Sequence, residues 1–137
     1  MRGRPGYADC AFPSFAFRFD TDYGSVAFSS DTTITVNMVA LAQDADILVH
    51  EAIDLEVVRR SGNLTPEQPQ HHENSDADVA RIGGNVARPA NVRTLVLSHL
   101  APTKAIPDAS WKAKAGKGFG GRVVVGNDLH VLSVSRP

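Results

Sequence analysis

The sequence predicts one α/β domain in which helices pack against a layered sheet. Two continuous apolar runs, Ile47–Val49 and Leu95–Leu97, are typical of strands covered on both faces. Amphipathic segments with helical spacing alternate with these runs, and such alternation is typical of α/β folds. The length of 137 residues fits a single domain. We assign residues 1–13 to an irregular N-terminal segment and residues 14–137 to the domain.

The sequence of the first third of the domain predicts a hairpin followed by a helix. Phe15, Phe17 and Phe19 alternate with other residues, which predicts a strand with one face in the core. Residues 22–24 form a turn, and residues 25–29 return as a second strand that leads to Asp31. Thr33 or Thr35 is the predicted cap of a short helix that bears Val36, Val39, Ala40 and Leu41.

The remaining elements follow in the order strand, helix, helix, strand, helix, strand, strand. The buried run 47–49 precedes a helix that ends near residues 61–63, and residues 61–74 form the longest loop. Ser75 is the predicted cap of the next helix, which Pro89 ends. After the strand at residues 95–97 we expect a helix over 107–115, a strand over 123–125, and a final strand over 129–134.

Composition excludes several classes of protein. The chain has 14 basic and 15 acidic residues, so its net charge of -1 predicts no electrostatic surface for nucleic acid or an anionic membrane. A nucleic-acid substrate held mainly by a metal is still compatible with this charge. The single cysteine, Cys10, excludes an internal disulfide and is interpreted as a small apolar residue. No apolar run approaches the length of a membrane span, and the basic N-terminus lacks a signal peptide's apolar region. We expect a cytoplasmic protein.

Acids and histidines follow the predicted strands directly. Asp31 follows the second strand, His50 and Glu51 end the strand at 47–49, and His99 follows the strand at 95–97. The carboxyl ends of strands form the mouth of the site in open α/β sheets. Asp31 and His99 are therefore predicted to lie close together as metal ligands, although a turn or structural role is the alternative for each. Neighbouring strand residues point to opposite faces, and we favour Glu51 over His50, either pointing into the site or holding another residue of the site in place.

Four further features are weaker candidates. His71 and His72 lie in the long loop, where a solvated side chain and a mobile general acid are both possible roles. His130 is interpreted as structural. The glycine-rich residues 118–121 lack the lysine of a phosphate-binding loop and are interpreted as a turn.

The order of motifs resembles that of the metallo-β-lactamase-fold hydrolases, and most closely the ribonuclease Z-like branch. The resemblance extends from about Phe15 to Val134 and is carried by F-R-F-D-T-D-Y-G-S-V-A-F-S-S-D-T, A-D-I-L-V-H-E-A, H-x-N-S, V-R-T-L-V-L-S-H-L and G-R-V-V-V-G-N-D-L. It implies half of an αββα sandwich, with one mixed sheet and helices on one face. It also implies that residues 14–137 are the C-terminal half of a metallo-hydrolase domain, with zinc as the cofactor.

The resemblance assigns roles to four residues. Asp31 corresponds to the aspartate that bridges two zinc ions, and His99 to the last zinc-binding histidine. Glu51 corresponds to the glutamate of a relay around the metals, and His72 to a loop histidine that protonates the leaving group. The chain departs from the pattern at Ser30, where the family has glycine, and at Asn74-Ser75, which stands in for Ser-Thr or Thr-Ser with one extra residue before the helix.

The family's H-x-H-x-D-H motif is absent from the sequence. The resemblance therefore implies a zinc-dependent hydrolase of phosphodiester or other esters, with RNA as a possible substrate, that is inactive as this chain alone. The enzyme would be completed by another polypeptide, or the sequence is an incomplete record of a longer gene. The expected partner is a complementary N-terminal half or a second copy of the chain. The alternative is a non-catalytic fragment or interaction module, because a half-sandwich would leave the face of Phe15, Phe17 and Phe19 uncovered.

Overall fold

The fold is that of a computed structural model in which residues 14–62, 76–102 and 106–134 are described. Five strands form one sheet: β1 (Phe17–Thr21), β2 (Gly24–Phe28), β3 (Ile47–Ile53), β4 (Thr94–Ala101) and β5 (Arg122–Val125). Their spatial order is the same as their sequence order. β1 and β2 are antiparallel, and the remaining neighbours are parallel. The predicted mixed sheet is confirmed.

Among the described residues, four α-helices lie in the connections between the parallel strands: α1 (Val36–Leu41), α2 (Leu55–Arg60), α3 (Val79–Ile82) and α4 (Asp108–Ala115). A π-helical segment, Gly83–Ala87, continues α3. Each parallel crossover is expected to be right-handed, and the strand order advances in one direction, so the helices fall on one face of the sheet.

The main hydrophobic core lies between the sheet and these helices. Strand residues such as Leu48 and Leu97 are fully buried there against helical residues such as Ile82 and Trp111. Gly83 permits a close approach to the end of α4, because a Cβ at this position would collide with the carbonyl oxygen of Ala115. The predicted arrangement of helices on one face is confirmed for the described residues.

The opposite face of the sheet, which we call the open face, is only partly covered. Ile47, Val96 and Val124 are buried in its centre, where Leu132 and Val134 pack against them. Towards β1 the cover ends: Phe17 is 53% exposed and Phe19 is 57% exposed. Cross-strand pairing places these two rings on the same face as Val26 and Phe28, and the rings of Phe19 and Phe28 meet edge to face at 6.0 Å.

The structure corrects several sequence-based expectations. The alternation of Phe15, Phe17 and Phe19 did identify a strand, but its aromatic side chains are exposed and not in the core. The final strand predicted over 129–134 was wrong. Leu129 has a φ of 60° and is 98% exposed, so the chain turns there and then crosses the open face without pairing to β5.

Helix starts were predicted with mixed success. Thr35, one of the two proposed caps, does cap α1: its side chain accepts a hydrogen bond from the backbone amide of Met38. α3 begins later than expected, because Asp78 caps it by accepting from the amide of Ala80. The predicted cap Ser75 lies outside the described residues, as do residues 1–13 and most of the long loop.

Candidate metal centre

The candidate site lies at the carboxyl edge of the three central strands. β2, β3 and β4 are parallel, so Asp31 just beyond β2, Glu51 in β3 and His99 in β4 all come to this edge. The sheet thereby brings together residues that are 20 to 68 positions apart in sequence. Short loops after rigid strands are suitable for holding functional side chains in place.

Asp31 and His99 are in direct contact. The Oδ1 atom of Asp31 lies 2.7 Å from the Nδ1 atom of His99. Both side chains remain largely exposed, at 74% and 69% of their surface. The prediction that these two residues lie close together is confirmed, and the pair faces outward, where a metal ion or a substrate can reach it.

A β-bulge in β4 presents His99. Glu51 pairs with Ser98 and Ala52 pairs with Leu100, so His99 is an additional residue in the ladder. Its φ of 44° is in the left-handed region, which is unfavourable for a non-glycine residue. Bulges re-aim side chains near active sites, and strained backbone is concentrated there. The bulge accounts for the exposure of His99 in a strand whose other residues are buried or partly buried.

Ser30 adopts a second left-handed conformation beside Asp31. Its φ is 53°, and it lies between the end of β2 and Asp31. Glycine takes this conformation without steric cost, and it is the residue that the sequence resemblance implies at this position. The turn at Ser30 lets the chain reverse and place Asp31 over the end of β4.

Glu51 lies behind the Asp31 loop and is buried. It is 4% exposed, and its Oε1 atom accepts a hydrogen bond of 2.7 Å from the backbone amide of Thr32. The pKa of Glu51 is raised to about 7, mainly by burial and to a smaller extent by Asp76 and Asp31, while the Thr32 amide and His99 oppose the rise. A carboxyl group whose pKa is near neutrality is suited to exchanging protons at physiological pH.

His50 lies on the opposite, helix-covered face of β3, as its alternation with Glu51 predicted. Its side chain is fully buried, and its Nδ1 atom is 2.8 Å from the carbonyl oxygen of Glu51. The carbonyl only accepts hydrogen bonds, so Nδ1 carries the proton of the neutral ring. Burial lowers the pKa of His50, which keeps the ring neutral.

Some candidates lie outside the site or outside the described residues. His71, His72 and Cys10 are not among the described residues, and their proposed roles stay predictions. His130 is exposed in the segment after β5, near the opposite edge of the sheet, where it lines a cleft with Asp46 and Arg93. Within the described ranges, no helix has the length and apolar character needed to cross a bilayer.

The donor atoms at the site suit zinc but do not complete a ligand set. Carboxylate oxygen and imidazole nitrogen are ordinary zinc ligands, and structural or catalytic sites use three or four of them. Asp31 and His99 provide two. Among the described residues, no group of three or more His, Cys, Asp or Glu side chains could hold a metal ion.

Sequence comparison identifies a set of relatives. No protein-family model matches the chain. Ribonuclease Z of Mycobacterium bovis strain BCG is 33% identical over 123 residues, which are 89% of this chain and 42% of that protein. Ribonuclease Z of Mycobacterium tuberculosis strain H37Rv is 32% identical over 89% of this chain and 44% of its own length. The chain is homologous to part of ribonuclease Z. It spans less than half the length of these two relatives.

Solved structures give the same fold. The chain matches the short form of human tRNase Z with a TM-score of 0.58, over 91% of this chain and 39% of that one, at 19% identity. It matches the metallo-β-lactamase-fold protein YhfI of Bacillus subtilis with a TM-score of 0.54, over 82% and 39% of the two chains, at 16% identity. The metallo-β-lactamase fold expected from the motifs is thereby confirmed, as is the resemblance to ribonuclease Z.

Ser29 is a residue of the site that the sequence did not reveal. It is 2% exposed, and its hydroxyl accepts from the amide of Glu51 at 3.1 Å and donates to the carbonyl of Ser30 at 2.8 Å. The two serines before Asp31 are typical of an ordinary turn, and the sequence does not indicate which of them is buried and which is exposed. Only the pairing of β2 with β3 shows which serine is inside.

Proposed function

We propose that this chain supplies one half of the active site of a zinc-dependent hydrolase that cleaves phosphodiester bonds, with RNA as the substrate class. The observation that carries the proposal is the contact of 2.7 Å between Asp31 and His99 at the carboxyl edge of a metallo-β-lactamase-type sheet. Homology to proteins named ribonuclease Z supports the choice of substrate. In this proposal residues 14–137 act as one structural unit.

Asp31 and His99 would hold the metal, and Glu51 and His72 would handle protons around it. Zinc, when bound, supplies Lewis-acid stabilisation of developing charge and an activated water. Glu51 has a pKa of about 7 and lies within the same edge of the sheet, so it can hold or release a proton there at neutral pH. His72 would donate a proton to the leaving oxygen as a general acid.

The missing ligands and the uncovered face require a second surface. Asp31 and His99 leave at least one ligand position to be filled from elsewhere. The exposed rings of Phe17 and Phe19 require an apolar cover of the kind found at interfaces. A complementary N-terminal half carrying an H-x-H-x-D-H motif would meet both requirements. A homo-oligomer would cover the face without adding this motif.

A reconstitution experiment tests the proposal. The chain is co-expressed with the N-terminal half of a ribonuclease Z, and zinc content and hydrolysis of bis(p-nitrophenyl) phosphate are measured. We expect zinc and turnover in the pair, little of either in the chain alone, and loss of both in Asp31→Ala and His99→Ala. His130→Ala is the matched control, because this exposed histidine lies away from the site. Turnover that survives Asp31→Ala would refute the assignment.

The second candidate function is a non-catalytic interaction module. The exposed aromatic rows of β1 and β2 favour it, since a binding surface needs no complete ligand set. The same experiment separates the two functions. A stable complex without zinc or turnover would support the interaction module, whereas zinc and turnover that depend on Asp31 would support the enzyme.

A further inference from the structure

The loop that presents Asp31 is held from behind by two buried polar side chains. Ser29 is 2% exposed and Glu51 is 4% exposed, whereas the Asp31 and His99 side chains in front of them are mostly exposed. A buried polar side chain is costly unless each of its groups is hydrogen-bonded. Both side chains direct their hydrogen bonds to the backbone around Asp31.

The hydrogen bonds form a closed pattern between β3 and the loop. The Ser29 amide donates to the Val49 carbonyl at 2.9 Å, and the Glu51 amide donates to the Ser29 hydroxyl at 3.1 Å. The same hydroxyl donates to the Ser30 carbonyl at 2.8 Å. On the far side of Asp31, the Thr32 amide donates to Oε1 of Glu51 at 2.7 Å.

Asp31 is thus bracketed by one bond to the residue before it and one bond to the residue after it. Ser30 has a φ of 53°, which a serine does not adopt readily without surrounding constraints. Fixing the backbone on both sides limits where the exposed Asp31 carboxylate can lie. That carboxylate makes its contact with His99, itself held in a left-handed bulge.

We infer that Ser29 and Glu51 are positioning residues that hold the Asp31 carboxylate against His99, a role that rests on the proposed function of this pair as metal ligands. Ser29 acts through its hydroxyl, and Glu51 acts as a hydrogen-bond acceptor. This role differs from proton handling, because an uncharged acceptor can perform it. Glutamine at position 51 retains the carbonyl oxygen needed for the Thr32 amide, whereas alanine does not.

The tautomer of His99 is the readout. In the intact chain the Asp31 carboxylate can only accept, so the neutral His99 ring carries its proton on Nδ1. Nitrogen-15 NMR at pH 8 measures the share of this tautomer, and Asp31→Ala gives the reference value without the contact. We expect Ser29→Ala and Glu51→Ala to move His99 to that reference value and Glu51→Gln to retain the wild-type value.

Ser25→Ala is the matched control for a purely structural effect. Like Ser29, Ser25 is a buried serine. It lies at the start of β2, at the end opposite Ser29, and its hydroxyl makes hydrogen bonds with Asp46. Its loss should lower stability about as much as the loss of Ser29 without changing the His99 tautomer. A second readout is amide exchange at Thr32, which should accelerate roughly fivefold in Glu51→Ala, the factor that corresponds to a net hydrogen bond of about 1 kcal/mol.

The outcomes separate this inference from the proposed function. The positioning role would be overturned if Ser29→Ala and Glu51→Ala both kept the wild-type tautomer share of His99. It would also be overturned if Ser25→Ala shifted that share equally, or if Glu51→Gln did not keep the wild-type share. Zinc binding and turnover are then measured in the chain paired with a ribonuclease Z N-terminal half. Expected tautomer shifts without zinc binding would leave the positioning role intact and refute the metal-site function.

Discussion

Replacing Glu51 with glutamine should stabilise the protein at alkaline pH. Burial raises the pKa of Glu51 from an ordinary value of 4.5 to about 7, so the folded state disfavours its charged form. At about 1.4 kcal/mol per pKa unit, this rise corresponds to about 3 kcal/mol. Glutamine resembles the protonated acid and keeps the acceptor for Thr32, so Glu51→Gln should be more stable than wild type by up to about 3 kcal/mol at pH 8.

The direction in which the unfolding free energy changes with pH follows from the number of protons that each state binds. Between pH 4.5 and 7 the folded state retains the Glu51 proton, whereas the unfolded state has lost it, so stability falls as pH rises through this window. Below pH 4.5 both states are protonated and the advantage of glutamine disappears. The lowered pKa of His50 has the opposite effect, because the unfolded chain alone is protonated just below pH 6.5.

Urea denaturation at half-unit steps from pH 4 to 8 measures the effect. The difference in unfolding free energy between Glu51→Gln and wild type isolates Glu51, since the His50 contribution is common to both proteins. We expect a difference near zero at pH 4 that grows in favour of glutamine up to pH 8. A difference that does not change with pH, or that favours wild type at pH 8, would refute the reasoning about burial.

Three further predictions concern other residues. Lys114→Met should cost about 3 kcal/mol of unfolding free energy, because it strips the buried Asp54 of contacts at 2.6 and 2.9 Å, while Lys112→Met on the same helix should stay within about 0.5 kcal/mol. Ser30→Gly should stabilise the chain by roughly 0.5 kcal/mol in thermal unfolding, since glycine relieves the φ of 53°, whereas Ser30→Ala should be neutral. In a reconstituted enzyme, His72→Ala should lower kcat by about 10²–10⁴-fold and leave zinc content unchanged; loss of zinc would instead make His72 a ligand, and no change in either would leave His71 as the candidate.

Most of the sheet was predictable because its strands are short, apolar and bounded by turn residues. Ile47–Val49 and Leu95–Leu97 were identified from their continuous apolar runs, and both lie within parallel central strands. The contact between Asp31 and His99 followed from the position of each residue directly after such a run. The carboxyl ends of neighbouring parallel strands lie at the same edge of a sheet, so the positions of the two residues along the sequence were enough to predict their proximity.

The errors arose where tertiary contacts override local pattern. Residues 129–134 alternate like a strand, but Leu132 and Val134 are used to cover the open face, and the left-handed turn at Leu129 takes the chain out of register with β5. The helix expected from Ser75 begins instead after Asp78, whose backbone forms a bridge with Ile53 of β3 before the helix starts. An isolated bridge of this kind leaves no sequence signal.

The uncovered face and the incomplete ligand set meet at one place in the molecule. Phe28 is the last residue of β2, and Asp31 follows it by three positions. Val49 and Glu51 alternate along β3 onto this same face, so the apolar surface continues directly into the candidate site. Any surface that covers Phe17, Phe19 and Phe28 must therefore end beside Asp31 and His99. In the proposed enzyme, one partner surface would bury the aromatic rings and also bring further ligands to the metal, so we expect assembly and metal binding to be coupled.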